Sequence, residues 1–286
     1  MSRITPIIVT KASGEQEHFD ESKLRRSLRN AGASDPVIDS ITQSVKDLLV
    51  DGISTRKIYR EAFRQLRAES QRVAGRYKLK EAILELGPTG FPFERFVAEI
   101  LNRVGYKTEV GVKVQGDCVT HEIDVIAVKD DHYYMVECKF HNKKENTCNV
   151  HIPLYIQSRF LDVKNNWTRQ PGHAGKEHTG YVVTNTRFTQ DALTYGECIG
   201  LNLLSWDYPK NNGLKDVISR LNLHPITCLS ALTKAEKALL TDKGIVLTVQ
   251  LYENKNALNE IGMDQRKVNR VIKEVKAICS YHSNNS

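Results

Sequence analysis

Residues 121–140, His-Glu-Ile-Asp-Val-Ile-Ala-Val-Lys-Asp-Asp-His-Tyr-Tyr-Met-Val-Glu-Cys-Lys-Phe, constrain this chain more than any other stretch. Two runs rich in β-branched and aromatic residues flank a polar Lys-Asp-Asp-His corner, which predicts a β-hairpin with a two-residue loop at Asp130-Asp131. Lys129 then pairs with His132, and counting outward puts Asp124 opposite Glu137 and Glu122 opposite Lys139. Directly opposed residues share a face, their Cβ atoms about 4.5 to 5.5 Å apart, and like charges so placed are destabilising unless neutralised. A divalent cation answers that need, because Mg²⁺ prefers hard oxygen ligands and keeps open positions for water and phosphate oxygens. Lys139 lies two residues after Glu137 and so projects to the same face. The plainer reading of these residues is an edge hairpin in which Lys139 pairs with Glu122.

Asp124 with Glu137-Cys138-Lys139 resembles the signature of the PD-(D/E)xK nuclease superfamily. Gly90-Phe-Pro-Phe-Glu-Arg-Phe-Val-Ala-Glu-Ile-Leu101, followed by Val104-Gly-Tyr106, resembles the opening helix of its Mrr-like restriction endonucleases. Gly180-Tyr-Val-Val-Thr-Asn-Thr-Arg-Phe-Thr189 and the helix after it are similar to that family's later strand and helix, so the resemblance runs from about residue 88 to about 221. It implies that Asp124, Glu137 and the Cys138 carbonyl hold Mg²⁺ or Mn²⁺, that Lys139 stabilises the attacking hydroxide or the developing charge, that Glu94 holds a metal-bound water, and that Gln157 orients Lys139. His141 falls on the same strand face and is a candidate assistant or a mere neighbour.

The chain has 286 residues, enough for two or three domains with proper cores. Its 41 Lys and Arg against 34 Asp and Glu give a formal charge of +7, which favours a polyanionic partner. No apolar run is long enough to span a bilayer and the N-terminus lacks a signal-peptide pattern, so a soluble, cytoplasmic protein without membrane contact is expected. Six scattered cysteines suggest reduced thiols. Cys118, Cys138 and Cys148 are each followed three residues later by a histidine, His121, His141 and His151, a recurrence compatible with zinc. Cys138 points away from the Glu137 face, however, and a small buried thiol there is ordinary core.

Residues 1–86 read as a separate, mostly helical unit. An extended start at residues 4–10 leads to a helix capped by Asp20, a second from Ser34-Asp35-Pro36 ended by Gly52, a third capped by Ser54, and a fourth over residues 71–86 that runs into Gly87-Pro-Thr-Gly90. Val9-Thr-Lys-Ala-Ser-Gly14, Phe19-Asp-Glu-Ser-Lys-Leu24 and Val73-Ala-Gly-Arg-Tyr77 resemble the ATP-cone, a nucleotide-sensing module. The resemblance implies phosphate contacts from Lys11 and Lys23, Val9 against the base, and ATP or dATP as regulator; it departs at Ala12 and Ser13, where the family carries a basic and an acidic residue. A helical oligomerisation or DNA-binding bundle is the alternative.

Residues 87–222 read helix, strand, hairpin, helix, strand, helix, strand, an α/β domain with a mixed sheet. Residues 223–286 read as helical, with a capping box at Thr233-Lys-Ala-Glu236 and a helix end at Gly244. Leu258-Asn-Glu-Ile-Gly-Met-Asp264 and the helix after it resemble a helix-hairpin-helix element. Such a turn at Gly262 offers backbone N–H groups to a DNA phosphate, and Arg266, Lys267 and Arg270 make the next helix basic. An ordinary bundle with a solvated charged face is the other reading.

Together these features describe a multidomain α/β protein: a metal-dependent endonuclease acting on double-stranded DNA, regulated by a nucleotide, with a role in restriction or defence. A homo-oligomer would suit cleavage of both strands. The alternatives are a non-catalytic, nucleotide-responsive DNA-binding regulator and an RNA-directed nuclease.

Overall fold

The computed structural model describes residues 7–11 and 14–279; the expected strand residues 4–6 and the departure at Ala12-Ser13 lie outside them. The chain divides into two compact units. One holds the described residues up to Leu79 together with those from Lys276 on, the other Lys80–Val275.

The first unit contains β1 (Ile8–Thr10), β2 (Gln16–His18), α1 (Glu21–Asn30), α2 (Asp35–Leu48), β3 (Ile53–Ser54), α3 (Thr55–Glu69) and α4 (Gln71–Tyr77). The helix starts are those the sequence marks. Asp20 accepts the N–H groups of Ser22 (2.8 Å) and Lys23 (3.4 Å), and Ser54 accepts that of Lys57 (3.3 Å). Beyond the expected helices there is a three-stranded sheet in the order β2-β1-β3, with β1 antiparallel to β2 and parallel to β3. Val9, on its central strand, is 3 % exposed and packs with Leu24, Leu28, Ile38, Ile41 and Val45. Its side chain belongs to the core of this unit.

The second unit begins in α5 (Leu79–Leu84), which spans the boundary, and continues through α6 (Phe91–Arg103), β4 (Lys107–Gln115), β5 (Thr120–Lys129), β6 (His132–Lys139), β7 (Thr147–Cys148), α7 (His151–Trp167), β8 (Glu177–Thr184), β9 (Arg187–Phe188), α8 (Gln190–Ile199), β10 (Asn202–Leu204) and α9 (Leu214–Leu221). The main sheet has five strands in the order β10-β8-β6-β5-β4. β4, β5 and β6 form an antiparallel meander, while β6, β8 and β10 run parallel, as connections through α7 and α8 require. The mixed α/β architecture is therefore present. α6 packs on β4 and β5, and α7 on β8 and α8. Ile123, Met135, Ile156, Phe160, Val163, Trp167 and Val182 make a continuous core between sheet and helices.

α7 is also pinned from outside the core. Asp162 accepts the N–H groups of Cys118 (2.8 Å) and Val119 (3.3 Å) and binds His121 Nε2 (2.7 Å), tying the helix to the β4–β5 corner. Those bonds hold the Asp162 carboxyl down at about 2, with the His121 ring the main cause.

The same unit continues through α10 (Lys234–Asp242), α11 (Thr248–Glu253) and α12 (Asn256–Glu260) into α13 (Gln265–Cys279). The capping box of α10 is formed, with Thr233 N–H on Glu236 Oε2 (2.7 Å) and Glu236 N–H on Thr233 Oγ1 (3.3 Å). No helix among the described residues is long and apolar enough to cross a membrane.

Ile156 is fully buried beneath α7. Ile156→Ala should cost about 2–5 kcal/mol, the range for truncating a buried aliphatic side chain. Urea denaturation of the full chain measures this, and a loss below about 1 kcal/mol would contradict the packing described.

Candidate functional site

The hairpin forms with the expected turn. Asp130 takes the left-handed conformation (φ 55°) and Lys129 pairs with His132. The β5–β6 ladder then runs to Val125↔Val136 and stops. The register is the one counted outward from the turn, but the ladder ends one pair short of Asp124 and Glu137, so neither they nor Glu122 and Lys139 are joined across it. Two side chains replace the missing backbone partners. The Asp124 carboxylate accepts the Cys138 N–H (2.7 Å), and the Arg159 guanidinium donates to the Glu122 carbonyl. The end of β6 instead follows β8, with Glu137 beside Val182 and Lys139 beside Thr184. Where the ladder ends, the acidic side chains of Glu94, Asp124 and Glu137 come within electrostatic reach of one another.

Glu137 is 4 % exposed and charge-paired at both oxygens: Lys139 Nζ on Oε1 at 2.6 Å and Arg159 Nη1 on Oε2 at 2.7 Å. Burial pushes the Asp124 carboxyl up to about 6, and the neighbouring Glu137 adds to the shift while the Cys138 N–H opposes it. Glu94, on the first turn of α6, is pushed up to about 7 by burial, then by Asp124, Glu137 and Glu122. Three carboxylates from α6, β5 and β6 thus share one electrostatic site. A divalent cation could be held by Asp124 and Glu137, with Glu94 near, and would offset both the desolvation and the mutual repulsion that raise the Glu94 and Asp124 pKa values. Among the described residues no three His, Cys, Asp or Glu side chains already enclose a metal position. That includes the Cys and His recurrence: the Cys138 thiol is buried with its pKa raised well above normal by desolvation, and Cys118 is exposed.

Gln157 is half-buried on α7, and among the described residues its amide makes no hydrogen bond to Lys139. Arg159, two residues on, is the helix residue that reaches the site, and the sequence reading missed it. Its neighbours Gln157, Ser158, Asp162 and Lys164 are polar as well, so no local pattern singles it out. His141 is bonded through its backbone to the Asn185 amide, and its ring lies 3.4 Å from Cys148 Sγ, turned from the carboxylates. Desolvation, and then Lys139, lowers its pKa.

Lys11 and Lys23 are brought together in the first unit, but on a carboxylate of the chain. Glu17 Oε2 lies 3.0 Å from Lys11 Nζ and 3.2 Å from Lys23 Nζ, and Lys11 also meets Glu15 at 3.1 Å. In the second unit, Gly262 (φ 76°) makes the turn between α12 and α13. Its N–H is donated to Asn259 O (2.9 Å) and that of Met263 to Leu258 O (3.3 Å). These groups close the end of α12, so they are not the free phosphate donors expected of a helix-hairpin-helix turn. Lys267 is paired with Glu236, while Arg266 and Arg270 are exposed.

Residues 87–152 match the model of a restriction endonuclease catalytic domain, Mrr_cat. Residues 224–279 match the model of the AF1548-like C-terminal domain. An uncharacterized protein of Archaeoglobus fulgidus is 35 % identical over 186 residues, covering 64 % of this chain and 99 % of that one. The crystal structure of AF1548, a protein of unknown function, is 33 % identical with a TM-score of 0.57, covering 67 % of this chain and 99 % of that chain.

The two raised carboxyls fix a sign. Glu94 and Asp124 hold protons more tightly folded than at their ordinary values of 4.5 and 3.8, so the folded state binds more protons than the unfolded one until pH passes about 7. Stability of the metal-free protein should therefore fall, on account of these groups, as pH rises from about 4 through about 7. Denaturation curves in chelator should show a shallower fall for Glu94→Gln than for the wild type. A parallel pair of curves would mean that Glu94 is not raised.

Proposed function

The chain belongs to the AF1548-like family, and from that premise and its restriction-endonuclease domain we propose that it is a divalent-metal-dependent nuclease that hydrolyses phosphodiester bonds in DNA. The observation that carries this reading is the convergence of Glu94, Asp124 and Glu137 beside Lys139 at the end of the β5–β6 ladder. Asp124 and Glu137 would hold the ion, with the Cys138 carbonyl as a further donor, and the ion would polarise the phosphate and lower the pKa of a water. Asp124 is oriented for this by the Cys138 N–H and Glu137 by its two cations. Lys139, 30 % exposed and on a flexible stem, stabilises negative charge that develops on the phosphate. Glu94, with its pKa near 7, can hold a water and accept its proton.

The exposed Arg266 and Arg270 on α13 supply phosphate contacts in this reading, and double-stranded DNA is the substrate. Restriction or defence against foreign DNA is a biological role consistent with such an enzyme. For the first unit, the nearness of Lys11 to Lys23 is what an ATP or dATP effector would use, although both lysines are already paired with Glu17 and Lys11 also with Glu15. A nucleotide phosphate must there compete with Glu17.

Purified full-length protein should nick supercoiled plasmid with Mg²⁺ or Mn²⁺ and not in chelator. Asp124→Ala and Glu137→Ala should reduce cleavage to background and Lys139→Ala by about 10²–10³-fold, the cost of removing a charge-stabilising donor. Full activity in the Glu137 variant would remove the proposed site. Separately, ATP or dATP titrated into the protein should release heat that Lys11→Ala diminishes; no heat at millimolar nucleotide would leave the first unit without that role.

A further inference from the structure

We infer that Arg159 determines which divalent ion the site accepts, by reserving one oxygen of Glu137 so that only the other can ligate a metal. The inference rests on the reading of Glu137 as a metal ligand. Its ground is the unequal hold that two cations have on the same carboxylate. On Oε1 sits Lys139 Nζ at 2.6 Å, a side chain 30 % exposed, with a flexible stem. On Oε2 sits Arg159 Nη1 at 2.7 Å, from a side chain 13 % exposed. The second arm of that guanidinium donates to the Glu122 carbonyl at the point where β5 has lost its partner strand.

Lys139 can leave Oε1 at small cost, because its side chain is 30 % exposed and its flexible ammonium can be hydrated by solvent. Arg159 cannot leave Oε2 so easily. Its planar fork bridges a carboxylate and a backbone carbonyl, and withdrawing it breaks both charge-assisted bonds at once. Its guanidinium carbon also lies over the Tyr155 ring, 5.5 Å from the centroid, a cation–π contact. Glu137 therefore presents Oε1 as its exchangeable oxygen and acts as a ligand through one atom.

One-atom ligation discriminates between ions. Mg²⁺ binds through one or two carboxylates at about 2.0–2.1 Å and keeps several waters, whereas Ca²⁺ takes about 6–8 oxygens and often gains two from a single carboxylate. A glutamate with one oxygen reserved suits the first and deprives the second. Arg159 is thus a positioning residue with a specificity role, and this can be separated from its charge. Removing a positive charge strengthens binding of both divalent ions alike, so absolute affinities do not report the role but their ratio does.

The test is calorimetric titration of chelator-treated, full-length protein with MgCl₂ and with CaCl₂, without DNA. In Arg159→Gln the affinity for Ca²⁺ relative to Mg²⁺ should rise by about tenfold, the lower end of what loss of an outer partner of a metal ligand causes. Arg159→Lys keeps a charge beneath Glu137 but lacks the fork that also reaches the Glu122 carbonyl; the ratio should rise there too, by less. That variant carries the test if the glutamine one does not fold, which circular dichroism reports. An unchanged ratio in a folded variant overturns the proposal while leaving the metal site standing. No binding of either ion to the wild type, or binding untouched by Glu137→Gln, strikes down the metal-ligand reading itself and the proposal with it.

Discussion

A carboxylate nearly sealed from solvent and held between two cations organises the catalytic-domain end of this protein. Burying a single ionised glutamate is prohibitive, and burying it with a partner is tolerable only when its lone pairs are also filled. Glu137 meets both conditions through Lys139 and Arg159, and each partner ties the site to a different element. Lys139 comes from the same strand, so their bond fixes the end of β6. Arg159 comes from α7, and α7 is in turn fixed by a buried apolar face and by the Asp162 clamp on the β4–β5 corner. The core thus sets the position of a charge.

Glu94 and Asp124 lack comparable compensation, and their raised pKa values record it. Carboxyls perturbed by burial and by one another mark a candidate functional site, since gathering them costs stability. The pattern is lopsided in a useful way: the most buried of the three acids is the one with cationic partners, and the two others hold their protons more tightly. Fold and chemistry here draw on the same asymmetry.

Much of this was legible in the residues. The two-residue turn at Asp130-Asp131 fixed the pairing of Lys129 with His132, and β-branched runs on either side left little freedom in the strands next to it. Helix starts at Asp20, Ser54 and Thr233 were legible because a cap is a local event between a side chain and N–H groups two or three residues away. What was hidden depended on distant partners. The ladder's end at Val125↔Val136 follows from the Asp124 side chain taking a backbone donor, and outward counting assumes that backbone pairs with backbone. Arg159 reaches Glu137 from 22 residues away. The extended start was legible and contains β1, but strands as short as β2 and β3 leave no alternation to read. At Gly262 the glycine was rightly read as a turn, but whether its N–H groups face a ligand or close a helix is decided by geometry that a motif does not carry.

The opened ladder also changes how the site can respond mechanically. Beyond Val125↔Val136 no backbone bond of the ladder joins the strand bearing Asp124 to the one bearing Glu137, and each is anchored on its far side, β5 by β4 and β6 by β8. The two acids therefore sit on opposite jaws of a fork whose tines can part slightly without tearing the sheet. Asp124 on the Cys138 N–H and Arg159 between Glu137 and the Glu122 carbonyl act as elastic ties across the gap. An aperture of this kind can breathe as the charge between its jaws changes, while the rest of the sheet keeps its shape.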